Sequence, residues 1–448
     1  MATVTAVTRR RSPLPRDAWV ATTARGMSIL GDNIAYVCLV WRLKDHGTIA
    51  VMALTVVNAA VMVAAAPWAG LLADRVSAKK LVASVTAGQA VVAACLAWTG
   101  AGPLTIVGIG LLALGTAMVG PAWQALLPRL VDEEQLPRTM GLSQSLTSIG
   151  ATAGPVIGGV LVAGFGTSTP MLLDAASFLI YAALALALRK DRVPTPAPKT
   201  ASRTKEITAG LAVLRNDAVM RTLLGVLVFS VLGFGALGVV EVFFITEQLK
   251  ADASVYGFLS LVYGLGNLAG ALLMPRFTIP KRLLGVTAIA AEVVIAIGIL
   301  GFGLSRSIPV AAATLLFAGV GNGVINMVFG LLFAYRVPDE VRGRFGAAFG
   351  SIITTSSMTS MLVAGLLGTT VSAATIIMLG GVLAMAAGVI GLPVLLRAQA
   401  RDPLAAQMVD QAQSSSSESD SAGSGAGSRP SAAQPAEDGT ETEVANAE

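Results

Sequence analysis

The sequence predicts an all-α polytopic membrane protein with twelve transmembrane helices in two pseudo-symmetric six-helix bundles. Three observations predict it. Of 448 residues, 54% are hydrophobic and 13% charged, where a soluble domain carries about 25% charge, and the mean hydropathy is +0.73. Apolar runs of the length a bilayer core demands, about 20 residues, recur along the chain. Those runs fall into two groups of six whose connecting loops echo one another.

In order, the runs cover 18–43, 48–73, 80–100, 103–127, 139–163, 168–188, 219–246, 254–275, 283–304, 308–335, 344–369 and 373–396. The first, second, seventh, tenth and eleventh exceed the bilayer core and are expected to tilt or project. This divides the chain into an N-terminal tail (1–16), a first bundle (17–189), a linker (190–217), a second bundle (218–397) and a tail (398–448). The start, Met1 to Arg16, is polar and basic, and no small-residue cleavage site follows the first apolar run, so no cleavable signal peptide is expected. The linker carries Pro194, Pro196 and Pro198, then an amphipathic stretch from Glu206 to Leu214 that predicts a short helix on the membrane surface. Beyond Arg401 the Ser414–Ser417 run and accumulating acids predict disorder, with Arg429 the sole basic residue.

Lys and Arg orient the bundle. The termini and the loops on their side hold 26 of the 31; the opposite loops hold Arg42, Lys44, Lys250 and Arg306, and Arg25 lies within the first run. The positive-inside rule then puts both termini in the cytoplasm of a cell with this protein in its plasma (inner) membrane. Basic residues confined to short loops between apolar runs argue against nucleic-acid binding. Cys38 and Cys95, both inside apolar runs, offer neither a disulfide framework nor metal spacing. His46 sits in a loop beside Lys44 and Asp45 and reads as solvated. No nucleotide-binding loop is present, so no cofactor and no enzymatic activity are expected.

The halves repeat. Leu71, Leu72, Arg75 and Lys80 after the second run recur as Leu272, Leu273, Arg276 and Lys281 after the eighth. Asp132-Glu133 to Arg138 echoes Asp339-Glu340 to Arg344. Internal repeats of this kind build many transporters, with the substrate site between the halves near mid-bilayer.

The segment Gly70-Leu-Leu-Ala-Asp74-Arg75-Val-Ser-Ala-Lys79-Lys80 resembles motif A of the major facilitator superfamily. Gly70, Leu72, Ala73, Asp74, Arg75 and Lys79 match, while Ser77 and Ala78 depart from the usual Gly and Arg. Gly150-Ala-Thr-Ala-Gly154-Pro155-Val-Ile-Gly158-Gly159 matches the superfamily's motif C, which implies an exporter running as an antiporter. Asp174-Ala-Ala-Ser-Phe178 and Pro338-Asp339-Glu340 to Arg344 look like the drug:proton antiporter branch that includes macrolide, multidrug and enterobactin-type siderophore exporters. The resemblance covers about 15–400. It departs in the fourth run, where Leu104 to Leu127 lacks the Arg of several drug antiporters.

The residues themselves suggest roles. Asp74, at the inner end of the second run, contributes nothing to positive-inside orientation. With Gly70, Arg75 and Lys79 it reads as an inner-loop latch, and the plainer alternative is that the basic residues only enforce topology. Gly150, Gly154 and Gly158 fall on one helix face, with Gly159 and Pro155 beside them, and Gly266 and Gly270 make a similar face in the eighth run. A close-packing, bendable interface results, whether it slides or only packs. An ionised carboxylate at the bilayer centre costs about 2.5–3.5 kcal/mol, so Asp32, Glu241 and Glu292 are candidates for proton coupling, in that order. Arg25 shares a helix face with Ser28, Asp32 and Tyr36, and Ser230 and Phe234 are read as lying below Glu241. Tyr36, Phe234, Asn322 and Asn326 are candidate cavity residues. Each has a plainer reading as a satisfied carboxyl, interhelical glue or core filling.

The expected function is secondary active export of a small amphipathic compound (drug, antibiotic or siderophore-like) in exchange for protons, by a monomer in the lipid bilayer. A proton-coupled importer and a non-transporting receptor or scaffold are the alternatives; charged residues within the runs argue against the last.

Overall fold

The computed structural model describes residues 14–100, 102–189, 217–277, 279–337 and 339–401. Among these, twelve long helices follow one another and no strand occurs: α1 (Arg16–Leu43), α2 (Thr48–Arg75), α3 (Ala78–Trp98), α4 (Pro103–Leu130), α5 (Leu136–Phe165), α6 (Ser168–Ala187), α7 (Ala218–Gln248), α8 (Ala253–Leu273), α9 (Leu284–Leu304), α10 (Ile308–Arg336), α11 (Asp339–Leu367) and α12 (Ala373–Ala400). All but α1 are apolar and long enough to cross a membrane. α1 has the length, 28 residues, but carries Arg25 and Asp32, and it packs inside the bundle against α5 and α6. The linker helix over 206–214 and the tail lie outside the described residues.

Local chemistry fixes the helix ends. Pro103 opens α4, where its missing N–H costs nothing. Asp217 caps α7 by accepting from Val219 N and Met220 N at 2.9 and 3.0 Å, and it also takes Arg336 Nη1 at 3.0 Å, tying the start of α7 to the end of α10. Asp252 caps α8. The Ser254 hydroxyl and the Ser254 and Val255 N–H groups hold its carboxyl below the ordinary range. That contribution is present above the unfolded-state pKa and is lost as pH falls through the folded one. Gly47 (φ 85°) and Gly166 (φ 71°) supply the left-handed turns before α2 and α6. Arg42 is not a loop residue as the charge count had it. It ends α1 and donates to the carbonyls of Leu96 (2.5 Å), Thr99 (2.9 Å) and Thr167 (3.3 Å), satisfying helix-end acceptors without solvent.

α7 is interrupted. Its α-helix runs Ala218–Phe234, turns at Gly235–Ala236, resumes over Leu237–Phe243 and ends in a π-helical turn, Phe244–Gln248. The cause is a pair of glycines where neighbours crowd in. Gly233 lies against the backbone of Gly380 on α12, and Ser360 Oγ of α11 donates to Leu232 O at 2.7 Å.

Packing repeats with an offset of six helices. α1 meets α5 and α6, α2 meets α4, and α3 meets α4 and α6. Likewise α7 meets α11, α8 meets α10, α9 meets α10, and α12 touches α7 and α9. The halves meet through α5 against α8 and α2 against α11. Large apolar side chains such as Leu104, Val160, Phe317 and Ile390 face outward, as a lipid-solvated surface requires. Trp19, Trp68 and Trp98 lie exposed near helix ends, where interfacial aromatics belong.

Candidate functional site

Contacts between the halves gather at the end of the bundle away from the start of α1 and the end of α12, here the far end. Thr48 Oγ1 of α2 donates to Gly365 O of α11 at 3.1 Å, and Met52 crowds the same glycine. On the other side, Gly159 of α5 abuts Ala253 O of α8, Gly257 abuts Pro155 O, and Gly264 abuts Thr152. Toward the terminal end, Gly141 on α5 and Gly346 and Gly350 on α11 have open space around them. The close approaches between the halves thus run from the far end to the level of Thr152 and Gly264.

Under the far-end contacts lies a cavity of about 350 Å³. Tyr36 from α1, Thr55 and Asn58 from α2, and Thr354 and Ser357 from α11 give it hydroxyl and amide groups. Met358 and Met361 give it adaptable apolar walls. Of the cavity residues expected from sequence, only Tyr36 lines this pocket. Phe234 is packed into the core beside the α7 break. Asn322 and Asn326 sit one turn apart on α10, linked by Asn326 Nδ2 donating to Asn322 O at 2.7 Å. Phe329 and Phe333 pack with Phe345 and Phe349 of α11 at centroid distances of 4.9–5.6 Å, so their immediate work is joining α10 to α11. The α2 and α11 residues went unnoticed in the sequence, though Thr55/Asn58 and Thr354/Ser357 share an i, i+3 polar spacing in apolar runs.

The candidate carboxylates occupy three settings. Asp32 is half-buried and within electrostatic reach of Arg25, seven residues earlier on the same helix face. Glu241 lies beyond the α7 break, half-buried, within reach of Tyr36, Tyr256 and Tyr263. Glu292, ranked last from sequence, is 1% exposed with neither carboxylate oxygen hydrogen-bonded. Its polar neighbour is Ser230 of α7, itself fully buried, and the two make no hydrogen bond of good geometry. Ser230 thus belongs with Glu292 rather than beneath Glu241. A fourth acid, Asp174 of α6, is 1% exposed and within reach of Asp32; in the sequence it stands out only as the first residue of the Asp174–Phe178 motif.

A buried, unsatisfied polar group costs about 1–3 kcal/mol. Glu292→Leu is accordingly expected to raise the thermal midpoint of the purified protein. A lowered midpoint would mean that the carboxyl contributes favourably to the fold.

The glycine face divides its labour. Gly150, Gly154 and Gly158 do not face the other half; they seal α5 onto α1, against Gly26, Leu30, Asn33, Ile34 and Val37. Contact with the second half falls to Gly159 and Pro155. Gly266 and Gly270 likewise face α10, and α8 meets α5 through Gly257 and Gly264. In the latch segment, the surroundings of Gly70 and the side chain of Asp74 lie outside what is described. Arg75 is exposed, and Lys79 Nζ donates to Leu188 O at 2.6 Å just past the end of α6.

A family model, Major Facilitator Superfamily, matches residues 22–353. The MFS-type transporter YfiS of Bacillus subtilis is 26% identical over 381 residues, covering 82% of this chain and 90% of its own. Macrolide efflux protein A of Enterococcus faecalis is 26% identical over 298 residues (64% and 91%), and the multidrug efflux pump Tap of Mycobacterium tuberculosis is 24% identical over 365 residues (78% and 86%). Among solved structures, the POT family transporter PepTSo superposes with a TM-score of 0.67 at 11% identity, over 87% of this chain and 100% of its own, a likeness of fold alone. With two six-helix halves around a cavity and a family match across most of its length, this chain belongs to the Major Facilitator Superfamily of membrane transporters.

Proposed function

We propose that the protein exports a small amphipathic compound by proton antiport and alternating access, as a monomer in the plasma (inner) membrane with both termini cytoplasmic. The observation that carries this reading is the arrangement of the halves. Their close contacts lie over one end of a cavity, its other end is read as open, and among the described residues Asp32 and Glu241 lie half-buried in the spans without an ion pair. A mixed lining of hydroxyls, an amide and methionines suits a compound with polar and apolar faces. Export is favoured over import by the motif in α5 and by relatives whose names state macrolide and multidrug efflux. The Lys and Arg asymmetry supports the orientation, which makes the open end of the cavity the cytoplasmic one.

The test is uptake into inverted membrane vesicles of a labelled macrolide and a panel of labelled lipophilic compounds. An acid interior should drive accumulation of at least one compound, above vesicles lacking the protein, and collapse of the gradient should abolish it. Accumulation indifferent to the gradient would refute proton antiport. Accumulation only in right-side-out vesicles would refute export.

A further inference from the structure

We infer that Asp174 of α6 and Asp32 of α1 hold a single proton between them, so that the α1–α6 seam acts as one titrating unit. Its role as the coupling site rests on the proton-antiport reading above.

The seam is built to bring the two carboxyls together. α1 and α6 run antiparallel, and Gly31 faces Asp174 so closely that a Cβ there would lie 2.7 Å from Asp174 Oδ1 and 3.0 Å from Ser177 Cβ. The missing side chain lets the α6 carboxyl settle on the α1 backbone beside Asp32. Ser177 Oγ donates to Asp174 O at 2.8 Å and lies 3.4 Å from its Oδ1, and no described Lys or Arg forms an ion pair with either aspartate. Asp174 is sealed, whereas Asp32 is half-buried. Seven residues on from Asp174, Tyr181 of α6 comes alongside Arg25, which is seven residues before Asp32. Tyr181 is 2% exposed and its hydroxyl has no hydrogen-bond partner of good geometry, which leaves a second buried polar group aimed into the same seam.

The charges around the seam set the proton count. Arg25, within reach of the Tyr181 hydroxyl, is the cation that faces the seam among the described residues and forms no ion pair there. On the other side of Asp174 stands Cys38, whose Sγ donates to Thr167 O at 2.9 Å, with Arg42 beyond it already committed to helix-end carbonyls. Residues 48–66, 81–98, 103–127 and 141–173 contain no Asp, Glu, Lys or Arg, so these central stretches of α2, α3, α4 and α5 add no charge, and α8 brings Tyr256 within reach of Tyr36 on α1. Two carboxylates sharing a dry site cannot both stay ionised. One proton leaves one carboxylate against one guanidinium, and the seam is neutral. The proton enters and leaves at Asp32, the partly exposed member, transferring between its carboxyl oxygen and water, while Asp174 is the second acceptor behind it.

Infrared difference spectroscopy of the full-length protein in lipid, titrated in pH, reads the protonated carboxyl band directly. Asp174→Asn should move the midpoint of the remaining Asp32 band by about one pH unit or more, as for any strongly coupled pair. The reciprocal Asp32→Asn, at a half-buried and therefore tolerant position, should do the same to the Asp174 band. Unchanged midpoints in both variants would overturn the shared proton. In vesicles, Asp174→Asn should lose gradient-driven accumulation of the labelled macrolide while retaining counterflow; accumulation equal to the parent would overturn its role in coupling. If the parent shows linked midpoints but no gradient dependence, proton antiport fails and the shared proton stands.

Discussion

Gly159→Val should cut the initial rate of gradient-driven transport severely while the protein still inserts at normal levels. A Cβ at this position would lie 3.1 Å from the carbonyl carbon of Ala253 and 3.3 Å from Gly257 Cα, closer still to Ala253 O. These are backbone atoms of the opposite half and cannot rotate away. Overpacking of this kind costs about 1–3 kcal/mol, which converts to roughly 5- to 150-fold in the population of the far-end-closed state. The assay compares initial uptake rates at matched expression, with Gly164→Val as control, since no atom lies within 4 Å of a Cβ there. Gly154→Val should behave differently. It collides with Asn33 and Leu30 inside the first half, so it should lower the yield of folded protein rather than the rate per folded molecule. Normal transport by Gly159→Val would show that the halves do not need this close approach.

Asp32→Asn should abolish accumulation against a gradient and leave downhill exchange within a few-fold of the parent. Asparagine keeps the shape of the side chain but cannot take up and release a proton. A coupling ion can drive a cycle only if its binding differs between the two conformations, and Asp32 sits on the helix that also supplies Tyr36 to the cavity. Counterflow and gradient-driven uptake, measured on the same vesicles, separate the two abilities. Full accumulation in Asp32→Asn together with its loss in Glu241→Gln would move the role to Glu241, beside the tyrosines. Full accumulation in both would leave Glu292, whose enclosure at 1% exposure makes it the least accessible of the three.

Much of the architecture was legible because lipid demands it: a span must be long, apolar and helical, so twelve runs appear in the letters alone. α1 shows the limit of apolarity as a guide. Arg25 and Asp32 place it below a plain apolar criterion, yet burial against α5 and α6 makes room for both. The glycine spacing announced a close-packed face but not its partner. Gly158 and Gly159 are neighbours in sequence and point about 100° apart, one to α1 and the other to α8. Asp174 was visible as a lone acid in an apolar run, and only the register of α6 on α1 puts it beside Asp32. The pocket's α2 and α11 residues were hidden for the same reason, since pairing across the halves is a tertiary fact. Glu292 could be seen as a mid-span charge, whereas its enclosure beside Ser230 without a well-formed hydrogen bond could not.

Alternating access about this cavity is tested most directly by two distances in one protein. In a background with Cys38 and Cys95 replaced, one pair of spin labels on Ile49 and Thr369 reports the far ends of α2 and α11. A second pair on Met140 and Leu273 reports the terminal ends of α5 and α8; all four positions are exposed. Contacts of Thr48 with Gly365 and Gly368 put the far pair close, and the terminal pair is expected to be apart. Changing pH across the neutral range should populate a second state in which the far pair lengthens and the terminal pair shortens together, and Gly159→Val should enrich it. Two distances that change in the same direction, or a far pair that never opens, would contradict the account.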